Sequence, residues 1–136
     1  MEGNLIELSK LKGRVVVLNF WAIGCNPCVR EIPELNKLVE LYSGKKITFI
    51  SLADDKSLSL KKFFKKHSFK YLTIADSERI MNETFKLMSI YPYTIIIDKE
   101  GKINKMRIGG FEKEKEIVPF YQDLIDIYQD IIDKIL

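Results

Sequence analysis

Apolar positions follow two rhythms along this chain. Val15 to Phe20, VVVLNF, is an uninterrupted β-branched and apolar run, which predicts a strand buried on both faces. From Cys25 the rhythm changes. Cys28, Ile32, Leu35, Leu38, Val39 and Tyr42 recur at helical spacing and predict a helix from Cys25 to about Tyr42. Pro27 suits its first turn, where a missing N–H costs nothing. Pro33 lies further in, cannot donate to the carbonyl of Val29, and predicts a kink. Gly44 closes the helix, and Ile47 to Leu52 reads as a second strand. Asp54, Asp55 and Ser57 are candidate caps for a helix over Leu58 to His67. Tyr71 to Ile74 follows as a short strand, and Ser77 caps a helix from Glu78 to about Met88. Tyr93 to Ile97 and Ile103 to Ile108 flank Asp98-Lys99-Glu100-Gly101, a hairpin signal with glycine in the turn. A last helix runs from about Glu116 to Ile135, with Pro119 in its first turn. The order βαβαβαββα implies an α/β fold, parallel where helices cross over and antiparallel at the late hairpin.

Composition narrows the class without deciding it. The 136 residues suit one domain over 1–136, and 46% hydrophobic with 30% charged residues fits a globular chain. A net charge of +3 is too small to argue for nucleic acid or an anionic membrane. No apolar run approaches the roughly 20 residues of a spanning helix. The start, Met1-Glu2-Gly3-Asn4-Leu5, lacks the apolar stretch of a signal peptide. That fits a cytoplasmic protein, or an excised domain or mature form whose leader or anchor is not part of this sequence.

The chain has two cysteines, three positions apart in Cys25-Asn26-Pro27-Cys28. At i and i+3 on a helix the two sulfurs share a face and can meet within one turn. Cys25 falls at the helix start, where unpaired N–H groups and the positive end of the dipole favour a thiolate. Cys28 lies a turn deeper, where burial disfavours the charged form. This asymmetry makes Cys25 the attacking nucleophile and Cys28 the thiol that resolves a mixed disulfide. Three blander readings compete: a structural disulfide, half of a zinc site, or two unrelated buried thiols. A cross-link over so short a loop gains little entropy. Zinc normally takes four protein ligands, and His67 is the one further strong donor, so no metal is expected.

The segment Leu11-Lys12-Gly13-Arg14 to Asn19-Phe20-Trp21-Ala22, then Cys25-Asn26-Pro27-Cys28 and Glu31-Ile32-Pro33-Glu34-Leu35, resembles the opening strand and helix of thioredoxin-fold proteins, in particular the TlpA-like (ResA-like) thiol-disulfide oxidoreductases of bacterial envelopes. Tyr91-Pro92-Tyr93-Thr94-Ile95-Ile96-Ile97-Asp98 and Gly101-Lys102-Ile103 are similar to a later family segment, so the resemblance covers about Leu8 to Tyr121. It implies a central mixed β-sheet flanked by helices on both faces. It also implies a cis peptide bond before Pro92, with Pro92 beside the two cysteines, where an extended partner strand can be received. Trp21, Gly24, Asn26, Pro27, Tyr91 and Pro92 are then the expected partner-binding residues. The chain departs from relatives in Gly24, where an aromatic residue is usual, and in Asn19, where thioredoxins carry an acid. Asn19 cannot act as a general base. The implied partners are disulfide- or thiol-bearing proteins and an upstream redox donor, with no cofactor beyond the cysteine pair and a location on the periplasmic side of a bacterial envelope. A binding module without turnover and a peroxide-reducing enzyme on the same fold are the alternatives.

Other features read as packing. In Leu60-Lys61-Lys62-Phe63-Phe64-Lys65-Lys66-His67 the apolar residues, with His67, are expected to face the sheet and the lysines to face water rather than a membrane. The indole N–H of Trp21, which needs a partner, favours a surface position near the thiols. In the terminal helix Ile117, Tyr121, Leu124, Tyr128, Ile131 and Ile135 form one stripe, opposite Asp123, Asp126, Asp130 and Asp133. That stripe docks on the sheet of a monomer, and its final turns leave room for a weak dimer contact.

Overall fold

The computed structural model describes residues 11–83 and 91–123, apart from the side chains of Met81 and Asn104. Five strands form one sheet in the order β3-β2-β1-β4-β5. Its centre is β1, Val15–Trp21, buried at every position. β1 pairs in parallel with β2, Ile47–Ala53, and antiparallel with β4, Tyr93–Ile97. The short β3, Leu72–Ile74, lies parallel to β2, and β5, Ile103–Ile108, closes the other edge antiparallel to β4. The mixed sheet and its late hairpin are thus those that the hydrophobic pattern predicts. In the hairpin turn Gly101 takes φ +86°, a conformation that favours glycine. Oδ1 of Asp98 accepts the N–H groups of Glu100 and Lys102 there, each at 2.9 Å.

The apolar run of β1 serves two cores because alternate side chains point to opposite faces. Val16, Leu18 and Phe20 pack with Ile50, Leu52, Tyr93, Ile95 and Ile97. On the other face Val15 and Val17 meet Leu35 and Leu38 of helix α1, Asn26–Leu41, together with Ile117 and Tyr121 of a helix over residues 117–123. A polar row crosses this second face. Asn19 is level with Ser51 and Thr94, and Ser51 with Thr73. All four are buried. The Ser51 and Thr73 hydroxyls bond at 2.7 Å, and Thr94 shares a 3.0 Å bond with the Tyr121 hydroxyl, so burial of these oxygens is compensated.

Beyond the polar row, toward the C-terminal end of β1, lies a third cluster of Trp21, Cys28, Ile32, Ala53 and Leu60. Leu60 comes from α2, Ser57–Phe64. A third helix, α3, spans Glu78–Glu83, and its expected continuation to Met88 lies outside the described residues, as do the final turns of the C-terminal helix and their dimer contact. Two local expectations are corrected. None of Asp54, Asp55 and Ser57 caps α2, whose N-cap is Lys56 with no side-chain bond. His67 does not face the sheet: it is exposed, stacked on Phe63 at 4.4 Å. A 3-10 turn over Glu114–Glu116 leads into the C-terminal helix, which starts at Ile117, next to the expected Glu116.

The core assignment predicts a contrast within one helix. Leu38 is fully buried and Leu41 is 54% exposed. In urea unfolding with the cross-link intact, Leu38→Ala should lose about 2–5 kcal/mol, and Leu41→Ala should stay within about 0.5 kcal/mol of the parent.

Candidate functional site

The first turn of α1 is built by its cysteines. Cys25 is the N-cap, in extended conformation, and its Sγ accepts the N–H of Cys28 at 3.3 Å. A sulfur here takes the role that Ser or Asp oxygen takes in ordinary caps. Pro27 removes one orphan donor from the turn, and the first turn carries no acidic side chain to oppose negative charge on sulfur. Cys25 and Cys28 are disulfide-bonded, with Cα atoms 5.3 Å apart. Cys25 is half-buried, whereas Cys28 is 3% exposed and packs into the Trp21 cluster. The two sulfurs therefore differ in access as their positions in the sequence predict.

Around Cys25 the expected rim residues differ in exposure. Gly24 and Asn26 are exposed, and Pro27 is half-buried. The Tyr91–Pro92 peptide bond is cis. Phe20 pairs with Tyr93, so one further step of that register carries Pro92 level with Trp21 at the end of β1. The Pro92 carbonyl accepts the N–H of Gly109 at 2.8 Å, and Tyr91 packs on the same cluster as both cysteines. Pro92 is buried, and Trp21 is 1% exposed and presents no surface to a partner. Its indole N–H finds its acceptor inside, at Ser51 Oγ 3.1 Å away, and Phe63, Phe64 and Phe69 surround its ring. Among the described residues no group of three or more His, Cys, Asp or Glu side chains gathers as a metal site.

Sequence reasoning passed over Glu31. It is 4% exposed, one turn after Cys28 on the buried face of α1. Oε1 accepts the N–H of Phe111 at 3.1 Å. Burial pushes this carboxyl up to about 7, against the smaller opposing effects of the Phe111 N–H, Arg107 and Arg30. Arg107 lies over the Phe111 ring, 3.8 Å from its centroid. Gly110 permits this close packing, because a Cβ there would come within 2.9 Å of Pro27 Cβ and 3.3 Å of Glu31 Oε1. The available signal was spacing: Glu31 is at i+3 from Cys28 and i−4 from Leu35, on the apolar stripe.

The profile of the AhpC/TSA family matches residues 1–106. A thiol-disulfide oxidoreductase ResA of Bacillus cereus is 36% identical over 116 residues, which cover 85% of this chain and 66% of that relative. The chain thus spans a little under two thirds of that protein's length. ResA of Halalkalibacterium halodurans is 30% identical over 126 residues, covering 92% of this chain and 70% of the relative. Among solved structures, a Chlorobium tepidum protein described as a thiol:disulfide interchange protein DsbE superposes with a TM-score of 0.77 at 24% identity, over 89% of this chain and 84% of that one. The thioredoxin domain of a thiol-disulfide oxidoreductase from Bacteroides vulgatus gives 0.74 at 24%, over 90% and 86%. These two likenesses establish the thioredoxin-like fold. The chain belongs to the AhpC/TSA family and, within it, sits with the ResA-like proteins.

Glu31 makes a pH prediction whose sign is fixed. Its pKa in the fold, about 7, lies above the ordinary 4.5, so the folded chain holds this proton more tightly than the unfolded one. Its contribution is fully present below about pH 4.5 and is lost as pH rises toward 7. The loss is about 3 kcal/mol at about 1.4 kcal/mol per pH unit. Urea unfolding at pH 5 and pH 8 should show that slope, and Glu31→Gln should remove most of it.

Proposed function

We propose that this AhpC/TSA-family chain is a thiol-disulfide oxidoreductase working through Cys25 and Cys28, as one thioredoxin-like domain over 1–136. The supporting observation is the unequal pair: an accessible sulfur at the head of α1 bonded to a buried sulfur one turn inside. The names of the ResA relatives point to the same chemistry.

In the reduced protein the Cys25 thiolate attacks one sulfur of a partner's disulfide. The partner's S–S bond breaks, its other sulfur leaves as a thiolate that takes up a proton, and a Cys25–partner disulfide forms. Cys28, losing its proton, then attacks Cys25 Sγ. That bond closes as the Cys25–Cys28 disulfide and the second partner sulfur leaves as a thiol. Two electrons pass to the partner, and an upstream dithiol donor must return them. Gly24, Asn26, Pro27 and Tyr91 form the partner-facing rim, and the buried Pro92 lies behind Tyr91. Trp21 supports it from beneath, because its ring is covered. With no side chain at Gly24, the approach to Cys25 stays open. Thiol- or disulfide-bearing proteins are the substrates, and no cofactor is required. An extracytoplasmic site of action follows the ResA resemblance, and no described helix is long and apolar enough to cross a membrane.

Cys28→Ser tests the assignment of roles. Mixed with a disulfide-bearing protein such as insulin, the variant should accumulate an adduct through Cys25 that dithiothreitol releases. The parent should accelerate insulin reduction at least about tenfold over dithiothreitol alone. An adduct absent from Cys28→Ser, with no acceleration by the parent, refutes the activity and leaves a binding module on the same fold.

A further inference from the structure

The carboxylate of Asp55 does not serve the helix it precedes. An Asp beside a helix start ordinarily accepts that helix's own N–H groups, yet the N-cap of α2, Lys56, has no side-chain bond. Asp55 Oδ2 instead accepts the N–H of Ile23 at 2.8 Å, 32 residues away in sequence. Ile23 is two positions before Cys25 in the turn that joins β1 to α1.

Neighbouring bonds show how this turn is held. The Asp54 N–H donates to the Trp21 carbonyl at 3.1 Å, and the Cys25 N–H donates to the Ala22 carbonyl at 3.1 Å. The Asp55 carbonyl accepts the Asp76 N–H at 2.8 Å, which ties the loop after β2 to the loop after β3. Gly24 has nothing within 4 Å of where a Cβ would stand, so it adds backbone freedom and no packing just before Cys25. A charge-assisted bond at Ile23 offsets that freedom. It also fixes a negative charge on the turn two residues before Cys25, and a negative charge there opposes the thiolate that the helix start favours.

We propose that Asp55 is a positioning residue for the Cys25–Cys28 pair: its carboxylate clamps the turn at residues 22–24 and moderates how readily the Cys25 sulfur carries charge. This deepens the redox reading of the pair and rests on it for its purpose, but the clamp and the charge are measurable on the reduced thiol alone. Asp55→Asn keeps an oxygen for the Ile23 N–H and removes the charge, whereas Asp55→Ala removes both.

The experiment follows iodoacetamide alkylation of Cys25 against pH by peptide mass, in reduced full chain of the parent and both variants. Both variants should shift the alkylation midpoint down, giving about threefold faster labelling below it. Above the midpoint, where Cys25 is all thiolate, Asp55→Ala should reduce insulin disulfides about tenfold more slowly than the parent, and Asp55→Asn should stay within about twofold. Midpoints unmoved in both variants overturn the proposal, even if Asp55→Ala lowers the melting temperature, since that assigns a structural role alone. Asp55→Asn as slow as Asp55→Ala also overturns it. If the parent fails to reduce insulin, the proposed activity falls, and the alkylation midpoints still decide the role of Asp55.

Discussion

The bond from the Cys28 N–H to Cys25 Sγ is the constraint on which the rest turns. It makes one sulfur do two jobs, finishing a helix and exposing a nucleophile. A helix start needs an acceptor, and a thiolate needs donors, so each requirement satisfies the other. Cys28 lies one turn on, on the inner face of the helix, where Trp21, Ile32, Ala53 and Leu60 shield it. The difference between the two cysteines is therefore a product of helix geometry.

The sheet delivers that helix start to a place where a partner can reach it. β1 is buried throughout and carries the chain straight to the turn before Cys25. β4 runs antiparallel beside it, so Pro92 and the end of β1 meet at the same edge of the site. Beneath, the packing is tight and partly polar. Gly110 lets the segment after β5 press against Pro27 and Glu31, and the Phe111 N–H gives the buried carboxyl a donor. The start of α1 thus has an open rim outside and a buried carboxyl one turn further in.

Much of this was legible in the residues. VVVLNF and YTIII are strands because nothing polar interrupts them except Asn19 and Thr94, and those two are paired with each other across the sheet. The stripe from Cys28 to Leu38 marks the buried face of α1 without tertiary knowledge. What escaped depends on long-range pairing. Trp21 stands at a strand end, and whether its N–H meets water or protein was settled by Ser51, 30 residues on. Asp55 reads as a cap because helix-start chemistry is local, while its partner Ile23 lies on another loop. The spacing of Glu31 placed it on the buried stripe, but its partner is the N–H of Phe111, 80 residues later.

The central claim is that backbone geometry makes the two sulfurs unequal. The most direct measurement reduces the protein, treats it at neutral pH with a limiting amount of alkylating reagent, and identifies the labelled cysteine by peptide mass. The account predicts label on Cys25 in more than about tenfold excess over Cys28. Equal labelling, or label on Cys28 first, contradicts it.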